Sequence, residues 1–273
     1  MHPSFNIRSG NNNASQQQLF VQAGKQGIAL FTLDPQSNTC SDIVSWHFDE
    51  QLNGSSLTDQ LQEILSEEEL LNRTYNKTDV IYSFTESILT PPELYSEINR
   101  HEMLDTVFGD VNNNSVQTDF MYRQNLHNVY RIPVDFHNIV SRRFSNANFT
   151  HQYSLLPSAL KGELSAVFYP NSFTVLLCSG NKLQLLQSFN YTVPEDAAYH
   201  LLNVCRHFDV AVNEVALKLY GMVDRDSALY TTLYKYFMNI GFALLPDVFH
   251  YPEALSDFPA HYFSHLFATA SCV

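Results

Sequence analysis

Residues 18–33 read QLFVQAGKQGIALFTL. Leu19, Val21 and Ala23 alternate with their neighbours, Gly24–Lys25–Gln26–Gly27 supplies a turn, and Ile28 to Leu33 carries the chain back. Period-two alternation on either side of a short glycine turn is the signature of a β-hairpin. Asp34–Pro35 starts a second turn. DIVSWHF, residues 42–48, then predicts a third strand with Val44, Trp46 and Phe48 on one face and Ser45 and His47 on the other.

Beyond the hairpin the period changes. Ser56 with Asp59 makes a capping-box start, and Leu57, Leu61, Ile64 and Leu65 form one helical stripe. Glu67, Glu68 and Glu69 read as a solvated acidic turn. VIYSF (80–84) is a short apolar run, as in a buried strand. At TPPELYSEI the reading is a helix capped by Thr90, with proline in its first turn and Glu93 closing the box. DFMYR and NVYRI read as two more strands, Pro133 opens a helix carrying Phe136, Val140 and Phe144, and QYSLLP ends this half. PSALKGE (157–163) reads as a linker.

After it the order begins again. SAVFYP, SFTVLLCSG and LQLLQSF predict three strands joined by turns at Pro170–Asn171 and Gly180–Asn181. Thr192, Pro194 and Glu195 start a helix carrying Ala198, Leu201, Cys205 and Phe208. VALKLYG (215–221) reads as a strand, and Asp226 or Ser227 caps a helix over ALYTTLYKYF. FALLP (242–246) and FPAHYFSHLFATA predict a last strand and a last helix. Both halves thus run βββαβαβα, although residue identities do not repeat. Antiparallel strands feeding alternating helices and strands imply an α/β architecture of mixed sheets flanked by helices. The expected division is a frayed tail over 1–15, low in hydrophobicity and rich in Asn and Ser, and lobes over 16–158 and 159–273.

Composition narrows the function. The chain has 273 residues, 45% hydrophobic, enough for a packed core. With 15 Lys and Arg against 28 Asp and Glu the net charge is −13, which argues against nucleic-acid binding because phosphate backbones are held by neutralising cations. The one adjacent basic pair, Arg142–Arg143, has no aromatic platform in a basic context. No apolar run reaches the ~20 residues of a membrane span, and the polar start MHPSFNIRSGNNNASQQQ does not read as a secretory signal. Cys40, Cys178, Cys205 and Cys272 are far apart, the pattern of reduced thiols in a cytoplasmic protein. Sequons at Asn53, Asn72, Asn113, Asn148 and Asn190 then read as chance matches in an Asn-rich chain.

LFVQAGKQGIALF and SAVFYPNSFTVLLCSG, each opening one half, together with the duplicated order, carry a resemblance. From about Gln18 to Ala270 the chain resembles the actin-like ATPase (ribonuclease-H-like) superfamily, and within it a set of uncharacterised Bacteroidetes proteins. The resemblance implies a hairpin turn in each lobe that grips ATP phosphates through backbone N–H groups, with an Asp holding Mg²⁺ through water. This chain departs from that pattern. Its first turn offers Gly24, Lys25 and Gly27 but no acid, and its second, Tyr169–Pro170–Asn171–Ser172–Phe173, has neither glycine nor acid. The adenosine-side Gly-Gly turn is reduced to Gly221 in YGMVD. Mg²⁺ prefers carboxylate and water oxygens, so the expectation is a degenerate nucleotide site, with no catalytic residues and no ATP or Mg²⁺ cofactor. The expected mode of action is contact with a protein partner as scaffold or regulator, self-association included; the alternative is a weak kinase or ATPase that binds a nucleotide or sugar phosphate at the Gly24–Gly27 turn.

Other constellations read as ordinary structure. His261 and His265 stand at i, i+4 without the acid of a metalloprotease helix, among Tyr262, Phe263, Leu266 and Phe267. Asp110, Asn112 and Asn114 imitate a calcium loop, but Ser115 and Met121 stand where Gly and Glu are needed. Cys205 and His207, two apart, do not share a helix face. Asp224 and Asp226 have the look of a metal pair, but capping of the following helix explains at least one of them. Tyr230, Leu233, Tyr234 and Phe237 form a broad aromatic face, either core or an association surface.

Overall fold

The computed structural model describes residues 2–9, 14–48, 56–180 and 182–273. The sequon at Asn53 and the second residue of the Gly180–Asn181 turn lie outside the described residues.

The hairpin opens the molecule as its alternation predicts. Strands β1 (Phe5–Ile7), β2 (Gln18–Gly24), β3 (Gly27–Asp34) and β4 (Thr39–His47) precede helix α1 (Leu57–Glu67). Then follow β5 (Lys77–Tyr82), β6 (Ser87–Thr90), α2 (Arg100–Phe108), β7 (Asn114–Met121), β8 (Leu126–Pro133), α3 (Val134–Arg143), β9 (Asn148–His151) and α4 (Gln152–Ala159). The rest is β10 (Leu164–Phe168), β11 (Ser172–Ser179), β12 (Lys182–Asn190), α5 (Pro194–His207), β13 (Ala216–Gly221), α6 (Ala228–Tyr234), β14 (Asn239–Phe242) and α7 (His261–Ala270). Among the described residues no helix is long and apolar enough to cross a membrane.

The duplication is written in the sheets. One has the order β1-β4-β3-β2-β5-β9 and the other β12-β11-β10-β13-β14. Leaving out β1, each places its third, second, first, fourth and fifth strands in that sequence. The first two pairings are antiparallel and the last two parallel in both. The first copy inserts more between its two parallel strands, including a three-stranded sheet of order β6-β8-β7. Two compact units result: residues 1–154 with 247–255, and residues 155–246 with 256–273. The return segment is tied to the first unit where Cys40 N–H donates to His250 O at 2.8 Å and His250 N–H donates to Asn38 O at 2.8 Å.

Each main sheet is covered on both faces. In the first unit Leu19, Val21, Ala23, Leu30, Val44 and Trp46 pack with Leu61, Ile64 and Leu65 of α1 and Phe136 and Val140 of α3. On the opposite face Phe20 stacks on Phe31 at 4.7 Å, both buried. In the second unit Phe173, Val175 and Leu177 pack with Ala198, Leu201 and Cys205 of α5 and Leu229 and Leu233 of α6, and α7 packs on β13. Each fully buried Leu, Ile or Phe contributes roughly 1.5–3 kcal/mol, so these clusters dominate stability.

Several local expectations are corrected. Phe5–Ile7, inside the expected frayed tail, pairs antiparallel with β4, and Ile7 is buried. Thr90 does not cap a helix. It ends β6, paired with His127, because a residue before proline favours extended backbone; the helix begins only at Arg100. Glu68 is not solvated: it is buried, paired with Arg8 at 2.8 Å, and accepts from Leu70 N–H. The stretch read as a linker begins inside α4, which includes Pro157. Thr192 does not cap α5; the Asp196 carboxylate accepts from the N–H groups of Thr192 and Val193. Tyr234 of α6 is exposed, whereas Phe237 is fully buried. The strand expected at 242–246 lies earlier, as β14. The capping box at Ser56 and Asp59 forms as read.

Candidate functional site

The turns that the resemblance singles out are defined by backbone packing. β2 and β3 pair to their ends, Gly24 opposite Gly27, leaving Lys25 and Gln26 as a two-residue loop. Ser83 N–H donates to Ala23 O at 2.9 Å, drawing the end of β5 onto Gly24, and a Cβ there would lie 2.6 Å from Ser83 O. Gly27 has φ 152°, and a Cβ there would meet Trp46 O at 2.0 Å. Both glycines are therefore required by the sheet itself. Lys25 is exposed.

Gly24, Lys25 and Gly27 share this one turn of the first unit; Gly221 belongs to the second. It has φ 77°, and a Cβ would meet Phe168 O at 2.2 Å, where Met222 N–H already donates at 2.8 Å. Beside it lies the β10–β11 turn. Tyr169 N–H donates to Ser172 O at 2.8 Å, and the Tyr191 hydroxyl donates to Tyr169 O at 2.8 Å. Gly27→Ala and Gly221→Ala should each cost more than about 2 kcal/mol, because both conformation and space exclude a side chain. Urea unfolding checks this, and a loss below about 0.5 kcal/mol for either would refute the packing account.

Behind Gly221, α7 seals the second unit. His261 Nε2–H donates to Val223 O at 2.7 Å, and the ring stacks on Phe242 at 4.2 Å. The Tyr262 hydroxyl donates to Asp224. Burial, and then this bond to a carboxylate, push the Tyr262 hydroxyl up to about 12. His265 is buried with Tyr169 edge-on at 5.9 Å, and its Nδ1 has no hydrogen-bond partner. Burial drives its pKa down to about 3. The two histidines are thus core groups facing aromatic rings. Ser227 caps α6 through Tyr230 N–H, in the role expected of it or Asp226. Among the described residues no three His, Cys, Asp or Glu side chains gather as metal ligands.

The densest polar cluster lies in the first unit, built from residues that no sequence motif joins. The Asp119 carboxylate of β7 accepts from Thr150 Oγ1 at 3.0 Å, His151 N–H at 2.8 Å, Ser154 Oγ at 2.6 Å and the Tyr130 hydroxyl at 3.2 Å. His151 Nδ1 accepts from Tyr153 N–H at 3.2 Å, so Nε2 carries the proton and donates to Phe84 O at 2.8 Å. Asn128 bridges to both Ser154 Oγ and His151 Nδ1. Ser, His and Asp occur together here, but the serine donates to the aspartate and no imidazole nitrogen faces it. That connectivity cannot activate a nucleophile. It fastens β7 and β8 of the three-stranded sheet to β9, to the start of α4 and, at Phe84, to the segment after β5. Burial lowers the His151 pKa to about 4, against the opposing pull of Asp119 and Phe84 O.

Aromatic groups escape burial on the outer side of the three-stranded sheet. Tyr95 stacks on His127 at 3.9 Å, His127 lies 4.9 Å from Phe120, and Phe120 meets Tyr122 edge-on at 4.9 Å. Tyr122 is 85% exposed, and the nearby turn leaves Ile98 90% exposed.

No curated protein matches by sequence. A Bacteroides thetaiotaomicron protein with an actin-like ATPase fold and unknown function superimposes with TM-score 0.79 at 18% identity, over 95% of this chain and 97% of that one. The PilM–PilN type IV pilus biogenesis complex gives TM-score 0.59 at 10% identity, over 94% of this chain and 98% of that one. The ethanolamine utilization protein EutJ from Carboxydothermus hydrogenoformans gives 0.52 at 8% identity, over 95% and 91%. The fold is therefore that of the actin-like ATPases. The family model described as "protein of unknown function (DUF3822)" matches residues 8–240, and the chain belongs to that family.

Proposed function

We propose that this protein is a non-catalytic member of the actin-like fold that acts in the cytoplasm by binding other proteins, as a scaffold or regulator. The observation that carries this reading is the chemistry of the turns. Gly24 and Gly27 are held by backbone contacts with Ser83 and Trp46, and neither hairpin turn has a carboxylate for a metal–phosphate group. Without such groups Mg²⁺-assisted phosphoryl transfer loses its electrostatic support. The exposed Tyr122 and Ile98 supply apolar surface of the kind that protein contacts use. One of the structures that share the fold is a PilM–PilN type IV pilus biogenesis complex.

A second reading rests on the exposed Lys25 at the hairpin tip, which presents a cation to a nucleotide or sugar phosphate. Thermal unfolding with and without millimolar ATP and Mg²⁺ separates the two. A ligand selective for the folded state at a hundred times its Kd stabilises it by about 2.7 kcal/mol. The expected result is no change in Tm. A rise abolished by Lys25→Ala would overturn the non-catalytic reading in favour of the second.

A further inference from the structure

We infer that the strip beneath residues 4–9, between the edge of β4 and the turn after α1, is a docking site for an extended basic segment of a partner protein, and that the chain's own β1 occupies it in cis. This rests on the protein-contact reading and adds to it a place, a ligand chemistry and a means of regulation.

β1 is an addition to the duplicated fold. Once it is left out the two main sheets match strand for strand, and β12, the counterpart of β4, pairs with β11 alone in its sheet. β1 pairs over three residues, Phe5–Ser45, Asn6–Val44 and Ile7–Ile43, on a β4 of nine. Before it, Ser4 N–H donates to Ser45 O at 2.7 Å, and the Ser4 hydroxyl meets His47 Nδ1 at 2.9 Å. Ordering a segment costs backbone entropy at every residue, so a strand held by so few bonds opens more readily than the sheet beneath it.

What β1 covers is a built receptor. Ile7 is 3% exposed against the sheet edge. Arg8 Nη2 donates to both oxygens of the Glu68 carboxylate, at 2.8 and 3.0 Å, and Ser9 N–H donates to Asp42 at 3.1 Å. Both carboxylates are buried, Glu68 at 7% exposed and Asp42 at 1%. Arg73 is bonded to the second oxygen of Asp42 at 2.9 Å, and the Tyr75 hydroxyl, which feels all four charges, donates to Leu70 O. Release of β1 takes from Glu68 the guanidinium it is bonded to, and a buried charge stripped of its partner is strongly unfavourable. The segment that displaces β1 must therefore bring its own cation. The contacts specify it further: an apolar side chain for the place of Ile7, an arginine directly after it for Glu68, and an N–H one residue on for Asp42. Strand addition to β4 supplies the remaining main-chain bonds. A net charge of −13 draws a basic segment toward this chain and disfavours a second copy of it.

The probe is an end-capped fluorescent peptide that copies residues 2–9, His-Pro-Ser-Phe-Asn-Ile-Arg-Ser. Anisotropy is followed with the unchanged full chain and with Ile7→Ser, which loosens β1 at its buried side chain. Binding should be at least tenfold tighter to Ile7→Ser, and Arg8→Ala, a change at a partly exposed side chain, should act in the same direction. In the peptide, serine in place of isoleucine or glutamate in place of arginine should each weaken binding at least tenfold. Equal binding to the three chains, binding to none, or indifference to the peptide's arginine would overturn the proposal. So would light scattering that shows the unchanged chain as a dimer dissolved by the peptide, because the occupant would then be residues 4–9 of a second copy. A rise of Tm with ATP would sink the proposed function and leave these ratios as they are, so the two fail separately.

Discussion

Asp119→Ala should destabilise the fold by about 4 kcal/mol or more, since a buried donor left without its acceptor costs roughly 1–3 kcal/mol. Four donors lose theirs together: the Tyr130 hydroxyl, Thr150 Oγ1, Ser154 Oγ and His151 N–H. For a chain of this size the Tm should fall by about 2–4 °C per kcal/mol. Asp119→Asn keeps one acceptor oxygen and should cost roughly half as much. Ser154→Ala removes one donor and should cost about 1 kcal/mol. Urea titration orders the three variants, and an Asp119→Ala loss no larger than that of Ser154→Ala would show that the carboxylate does not organise the cluster.

Acidification should weaken the protein through His151 and His265. Burial lowers their pKa values to about 4 and about 3, from an ordinary 6.5. Below pH 6.5 the unfolded chain takes up protons on both rings while the folded chain does not. The unfolded state then binds more protons, so stability falls as pH drops from 6.5 toward 4, by up to ~1.4 kcal/mol per pH unit for each ring. Above pH 6.5 both states hold neutral rings and this dependence vanishes. His265→Leu tests the larger shift. It removes a buried Nδ1 that has no partner, so the variant should be no less stable at pH 7 and should lose about half of the slope. An unchanged slope would mean that other groups carry the acid sensitivity.

The parts legible in the sequence are those that rest on local chemistry. The β2–β3 hairpin shows in its alternation and its glycines, α1 in Ser56 and Asp59, and α5 in the spacing of Ala198, Leu201 and Cys205. What stayed hidden depends on distant partners. β9 has four residues and exists through parallel pairing with β5. Asp119 and His151 are 32 positions apart and share no motif. Thr90–Pro91–Pro92–Glu93 has the composition of a helix start, yet the same prolines favour the extended backbone that puts Thr90 in β6. The glycines of the candidate site were visible, but a nucleotide-gripping turn and a tightly packed hairpin both call for glycine, and the neighbours that set the two hairpin positions, Ser83 just after β5 and Trp46 of β4, come from elsewhere in the chain.

His250 hydrogen-bonds on both sides with the strand end at Asn38 and Cys40, so residues near the N-terminus wait for a partner translated some two hundred positions later. About a hundred residues separate Ser154 from Leu255, and at ~5–20 residues per second the ribosome needs roughly 5–20 s to deliver that last piece. During that interval the Cys40 amide lacks its native acceptor, and a nascent chain stalled before position 247 would leave this corner open to proteases and chaperones.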